Sequence, residues 1–200
     1  MAVLILNGSP SGRNGNCQVL IQKLKKFMKN QLKNLKAKDV QVAHLAEYGD
    51  SATKKKALVS MLKKADGFIF VTGTYWDSWG SPLQIFLENM TDFEGTSMFV
   101  GKPAVVLVLN HSVGGKGVLS RLQGVLSTLG CLIPPMSGMV YSWVADQLLK
   151  NSKKFDAQKD LWSLKDVELI LENFQKALGI DVKWGSWPVD RNDYKKNWLK

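Results

Sequence analysis

Cysteine and histidine are scarce in this 200-residue chain, with two of each. Cys17 and Cys131 are too few for a disulfide framework, which predicts a reducing compartment. His44 and His111 are scattered relative to the cysteines, so the spacing of a zinc or iron–sulfur site is missing. Long apolar runs are missing too. Val3 to Leu6 is too short for a secretory leader and lacks a basic start, and no run reaches membrane-spanning length. These absences predict a soluble, cytoplasmic protein without a membrane span. Acidic residues number 17 against 27 basic ones, for a formal charge of +10. The excess is mostly lysine, and much of it lies between Lys23 and Lys38, without the arginine and aromatic interleaving of a nucleic-acid surface. It reads as a solvated helix face whose field steers acidic small molecules, and no nucleic acid is expected as a partner.

What is present starts at the first residues. Ala2 to Leu6 is an apolar run of the kind found in a strand buried on both faces of a parallel sheet. It leads into Asn7-Gly8-Ser9-Pro10-Ser11-Gly12-Arg13-Asn14-Gly15-Asn16-Cys17. Leu20, Ile21, Leu24, Phe27, Met28, Leu32 and Leu35 then recur at helical spacing. A strand, a small-residue loop and a helix start make a phosphate cradle: backbone N–H groups converge on one point, and the helix adds its positive end. Ser9, Ser11, Asn14 and Asn16 add side-chain donors.

Further along, Val40 to Leu45 predicts a second strand, Thr53 to Ala65 a helix, and Asp66 to Thr72 a third strand. Pro82 suits a first helical turn, followed by the apolar stripe Leu83, Phe86, Leu87 and Met90. Ala104 to Leu109 is a fourth strand, and Val118 to Leu129 a helix closed by Gly130. A fifth strand is expected within Cys131 to Tyr141, its limits blurred by Pro134 and Pro135, and then a loop rich in lysine and aspartate. Ser163 and Asp166 pair as a cap for a last helix that presents Val167, Ile170, Leu171, Phe174 and Leu178 and ends at Gly179. Five strands alternating with five helices predict one α/β domain over residues 1–200, a doubly wound parallel sheet with helices on both faces. The segment 180–200 carries Trp184, Trp187, Tyr194 and Trp198; it is too aromatic for a disordered linker and is expected to pack on the sheet or on a second subunit.

In such a sheet, ligands bind at the carboxyl ends of the strands. Besides the cradle, two loops there are unusual: Thr72-Gly73-Thr74-Tyr75-Trp76-Asp77-Ser78-Trp79-Gly80-Ser81-Pro82 and Asn110-His111-Ser112-Val113-Gly114-Gly115-Lys116-Gly117. A phosphate cradle, an aromatic wall and a glycine-rich amide surface suit a phosphorylated, planar, heteroaromatic ligand.

The three loops resemble, in order, the GSPRxNGNT/S, TPTYWGSxSAPLKxFLDR and HxxGG segments of the flavodoxin-like NAD(P)H-dependent FMN reductases and quinone reductases, from about Met1 to Tyr141. The resemblance implies the flavodoxin-like strand order 2-1-3-4-5, an FMN cofactor and a homodimer. NADPH or NADH is implied as hydride donor, and a quinone, azo, nitro or free flavin compound as small-molecule acceptor. Carried over, it sets Ser9, Ser11, Asn14, Gly15, Asn16 and Cys17 around the phosphate. Thr74, Tyr75, Trp76 and Asp77 then line the ring, and His111, Gly114 and Gly115 bound its pyrimidine side. Hydride transfer needs no side-chain acid or base, so His111 is the one candidate catalytic residue, as a proton donor.

Four positions depart from the pattern: Cys17 for a hydroxyl, Ser11 for a cation, Gly73 for proline, and Asp77 for a glycine or small polar residue. They predict weaker FMN binding, with Arg13 a replacement cation, Cys17 a neutral thiol and the second loop loosened. An Asp77 carboxylate facing the ring would also lower the flavin potential. Two other functions share this cradle: a flavodoxin-type electron carrier, which the basic charge disfavours, and a binding module without turnover.

Overall fold

The computed structural model describes residues 1–31, 39–49, 51–151 and 163–189. Its elements are β1 (Val3–Asn7), α1 (Asn16–Gln31), β2 (Val40–His44), α2 (Ala52–Lys64), β3 (Gly67–Gly73) and α3 (Ser81–Asn89), followed by β4 (Ala104–Asn110), α4 (Gly115–Leu129), β5 (Gly138–Ser142), α5 (Trp143–Lys150) and α6 (Val167–Leu178). All five strands are parallel, in the order β2-β1-β3-β4-β5. The expected order is therefore the observed one. Leu32 and Leu35, expected to prolong the first helix, lie outside the described residues, as do Tyr194 and Trp198.

Alternation along the strands divides the core in two. Leu4, Leu6, Phe68, Phe70, Val106 and Val108 face one side, where they meet Leu62 of α2, Leu83 and Phe86 of α3, and Leu122 and Leu126 of α4. Val3, Ile5, Ile69, Val71, Val105 and Leu107 face the other, against Ile21 and Leu24 of α1 and Leu171 and Phe174 of α6. Because both faces are covered, the strands read as unbroken apolar runs.

The helix ends follow local chemistry. Ser51 caps α2 by accepting from the Lys54 N–H, and Gly130 closes α4 in the left-handed region at φ 107°, its N–H reaching the Leu126 and Ser127 carbonyls. Before α6 one arm of the expected cap forms: the Asp166 carboxylate accepts the Ser163 N–H, while the Ser163 hydroxyl accepts from Lys165 N–H. The sequence count of five helices misses α5. Its first turn is capped by the Ser142 hydroxyl, which accepts from Ala145 N–H, so the strand passes into the helix with no glycine or proline to announce it.

The described part of the tail crosses the end of the molecule where β4 begins. Trp184 lies against Gly101, Ser186 against Gly95, and the Trp187 indole N–H donates to Glu94 at 2.9 Å. Both tryptophans stay about half exposed.

Candidate active site

The sheet reverses direction between β1 and β3, and the three unusual loops meet at the carboxyl edge beside that point. In the first loop, Asn7 is the organiser. Its amide nitrogen donates to the Gly12 carbonyl (2.8 Å) and its amide oxygen accepts the Ser9 N–H (3.1 Å). The same nitrogen contacts His44 Nδ1 at 3.0 Å, and because an amide nitrogen only donates, Nδ1 is the acceptor and the proton sits on Nε2. His44 is buried, and that burial, helped by nearby Arg13, pulls its pKa below the ordinary value. Asn7 and His44 are register partners on β1 and β2.

The cradle then turns through a short 3-10 segment, Gly12–Asn14, into α1. The Ser9 hydroxyl accepts the Ser11 N–H at 3.2 Å and lies 3.1 Å from the Tyr75 hydroxyl, which joins the second loop to the first. Cys17 is buried beside it; burial pushes the thiol up to about 11, against a smaller opposite pull from the Ser9 hydroxyl. The neutral thiol is the form present at neutral pH. Arg13 is not a replacement cation: Glu47 holds it through Nε at 2.6 Å and the terminal nitrogen at 2.9 Å, outside the cleft.

The second loop is a tight hairpin, not a loose one. The Tyr75 N–H donates to the Ser78 carbonyl (2.8 Å) and the Ser78 N–H to the Tyr75 carbonyl (2.9 Å), with Trp76 at φ 48° and Asp77 at φ 56°. Two left-handed central residues are the mark of a type I′ turn, which glycine and asparagine adopt with least strain. Arg121 of α4 holds the turn by donating to the Asp77 carbonyl while its guanidinium lies 5.7 Å over the Trp79 ring. Gly73 has no side chain to displace the Tyr75 ring packed against it. Gly80 lets the two loops touch: a Cβ there would lie 2.4 Å from the Gly8 carbonyl oxygen. Trp79 packs against the core, and its indole N–H donates to Gln84 at 2.9 Å.

The third loop is tied to the next strand and helix. The Val144 N–H donates to the His111 carbonyl and the Ser142 hydroxyl to the Ser112 carbonyl, both at 2.8 Å. These ties set His111 beside Trp143, ring centres 5.1 Å apart at 33°.

The loops enclose a cleft of about 760 Å³, within the range of small-molecule sites. Ser9, Ser11, Asn14, Gly15, Asn16, Cys17, Thr74, Tyr75 and His111 line it. Trp76, Asp77, Gly114 and Gly115 do not. The Trp76 side chain is wholly exposed, and the Asp77 carboxylate leans on Gly114, the residue just before α4, at φ 87°. Sequence reasoning missed Lys23, Asn110, Tyr141, Trp143 and Leu164 in the wall. Two wall atoms, Thr74 Oγ1 and Asn110 Oδ1, are buried without a hydrogen-bond partner.

A five-stranded parallel sheet of this order, with its unusual loops at the switch point, defines a flavodoxin-like α/β protein. The NADPH-dependent FMN reductase family matches residues 1–145, and the chain belongs to that family. It is an NAD(P)H-dependent flavin oxidoreductase that uses FMN. The NADPH azoreductase of Bacillus sp. (strain OY1-2) is 24% identical over 129 residues, which are 64% of this chain and 68% of that one. Among solved structures, an oxidoreductase from Corynebacterium diphtheriae superposes with a TM-score of 0.67 at 14% identity, over 89% of this chain and 97% of the other. FerB, a flavoenzyme NAD(P)H:(acceptor) oxidoreductase from Paracoccus denitrificans, gives 0.60 at 16% over 88% and 94%. At these identities the structural likeness is one of fold.

Proposed function

We propose that the cleft holds FMN with its phosphate in the Ser9–Cys17 cradle and its ring between the second and third loops, and that the protein passes electrons from NADPH or NADH to a small acceptor. The observation that carries this reading is the partnerless Thr74 hydroxyl, buried in the wall just after β3, the strand that lies between β1 with its cradle and β4 with the loop that bears His111. A buried hydroxyl without a partner costs about 1–3 kcal/mol, so its retention points to a polar ligand. FMN, when bound, supplies the electron relay between the nicotinamide and the acceptor.

The chain's own residues bind and orient. Backbone N–H groups at the start of α1 and the hydroxyls of Ser9 and Ser11 face the phosphate, and the neutral Cys17 thiol adds no repelling charge. Thr74 and Asn110 offer polar atoms to the ring, and the Tyr75–Ser9 contact holds the second loop over the cradle. His111, an exposed residue of the cleft wall, is the group we assign to deliver a proton to a reduced acceptor. Quinone, azo, nitro and free flavin compounds are the acceptor classes, the azo class having a precedent in the Bacillus relative's name. The half-exposed Trp184 and Trp187 support a homodimer in which the tail makes the contact.

Anaerobic mixing of the FMN-loaded protein with NADPH tests this. Loss of the oxidised-flavin absorbance within seconds, and its return on adding a quinone, is the expected result. A flavin that bleaches only over many minutes contradicts it and points to an electron carrier.

A further inference from the structure

The three loops account for only part of the cleft. Beyond them it is lined by Leu109 and Tyr141, register partners on β4 and β5, by Val19 and Lys23 of α1, by Trp143 at the start of α5, and by Leu164. The Tyr141 hydroxyl is tied down, donating to Asp146 at 3.0 Å, and the same carboxylate takes Lys150 at 2.6 Å. Trp143 is half exposed beside His111, its neighbours on either side held to the third loop. Lys23 stands seven residues past Asn16 on one stripe of α1, about 10 Å along the helix from the cradle. Its side chain makes no ion pair or hydrogen bond with another described residue. Among the described lining residues it is the one permanently charged side chain.

We propose that this outer wall selects the electron acceptor, a flat aromatic molecule with an acidic substituent, its ring against Trp143 and its acid on Lys23. The proposal rests on the reading of the inner cleft as the FMN site. One flat wall and one cation suffice for a small aromatic acid. The several phosphates of NADPH would meet a single lysine and no arginine here, which is poor provision for a dinucleotide. With a quinone, the two electrons and one proton come from NADPH as hydride, a second proton comes from solvent by way of His111, and the products are NADP⁺ and the hydroquinone.

Steady-state reduction of 1,4-naphthoquinone and of its 2-sulfonate by NADPH tests the proposal, with flavin absorbance of each desalted sample read first. Lys23→Gln is expected to raise KM for the sulfonate about tenfold and to leave the neutral quinone within about twofold, and Lys23→Arg restores the sulfonate value. Trp143→Leu raises both. Calorimetric titration of the sulfonate into the oxidised, FMN-loaded protein, without NADPH, is expected to show the same loss of affinity in Lys23→Gln. Retained flavin with unchanged sulfonate KM, or a rise in the NADPH KM in its place, overturns the acceptor site and leaves the FMN reading standing. A wild-type sample that retains no flavin overturns both.

Discussion

The hydroxyl of Tyr75 lies 3.1 Å from that of Ser9, so a residue of the second loop closes directly on the cradle formed by the first. The two positions are 66 residues apart and meet because β1 and β3 are neighbours at the switch point. Tyr75→Phe removes this tie and keeps the ring on Gly73. The loss of about 1 kcal/mol predicts flavin release about fivefold faster, read by dilution with fluorescence of the freed flavin. An unchanged rate would remove the contact from the account.

Thr74→Val separates folding from binding. The hydroxyl has no protein partner, so its removal relieves the cofactor-free protein of the cost of burying it, and the urea midpoint rises. Flavin affinity is expected to fall about tenfold, one lost hydrogen bond's worth. Affinity that stays the same while stability drops would mean the hydroxyl serves the fold.

His44 gives the fold an acid limit. Its pKa in the folded protein lies below the ordinary 6.5, so between the two values the unfolded chain binds more protons. Stability is therefore fully present above about 6.5 and is lost as pH falls through the lowered value. Protonation also ends the acceptor role of Nδ1 towards Asn7, so the cradle loosens with it. A thermal midpoint that drops below pH 6.5 in the native protein and drops less in His44→Asn is the expected pattern; parallel curves would contradict it.

At Trp76 the left-handed backbone carries strain that its own side chain does not offset, since that side chain is wholly exposed. Trp76→Asn suits the left-handed position and is expected to stabilise the protein by up to about 1 kcal/mol. The check is a higher urea midpoint at constant slope. A lower midpoint would show that the indole has a packing role.

Much of this was legible in the sequence, and for a physical reason. β1, β3 and β4 are buried on both faces, which leaves unbroken apolar runs, and Gly130 needs its left-handed conformation to end α4. The cradle was legible because its backbone demands small residues in a row. What stayed hidden depends on strand register or on a distant partner. His44 matters because β2 sets it opposite Asn7, and Trp143 meets His111 because β4 and β5 are paired. Arg13, two residues from Ser11, reads as a phosphate ligand until Glu47, 34 residues on, is seen to hold it. The hairpin turns Trp76 outward, a conformation that asparagine or glycine would have announced and these residues do not.

The central claim, an FMN phosphate in the Ser9–Cys17 cradle, is tested most directly by comparing FMN with riboflavin, which has the same ring and no phosphate. Titration of each into the purified protein, followed by quenching of flavin fluorescence, gives the two dissociation constants. The account predicts FMN bound about 100-fold more tightly, the worth of two charge-assisted hydrogen bonds. Equal affinities would contradict it, because the cradle would then hold no phosphate.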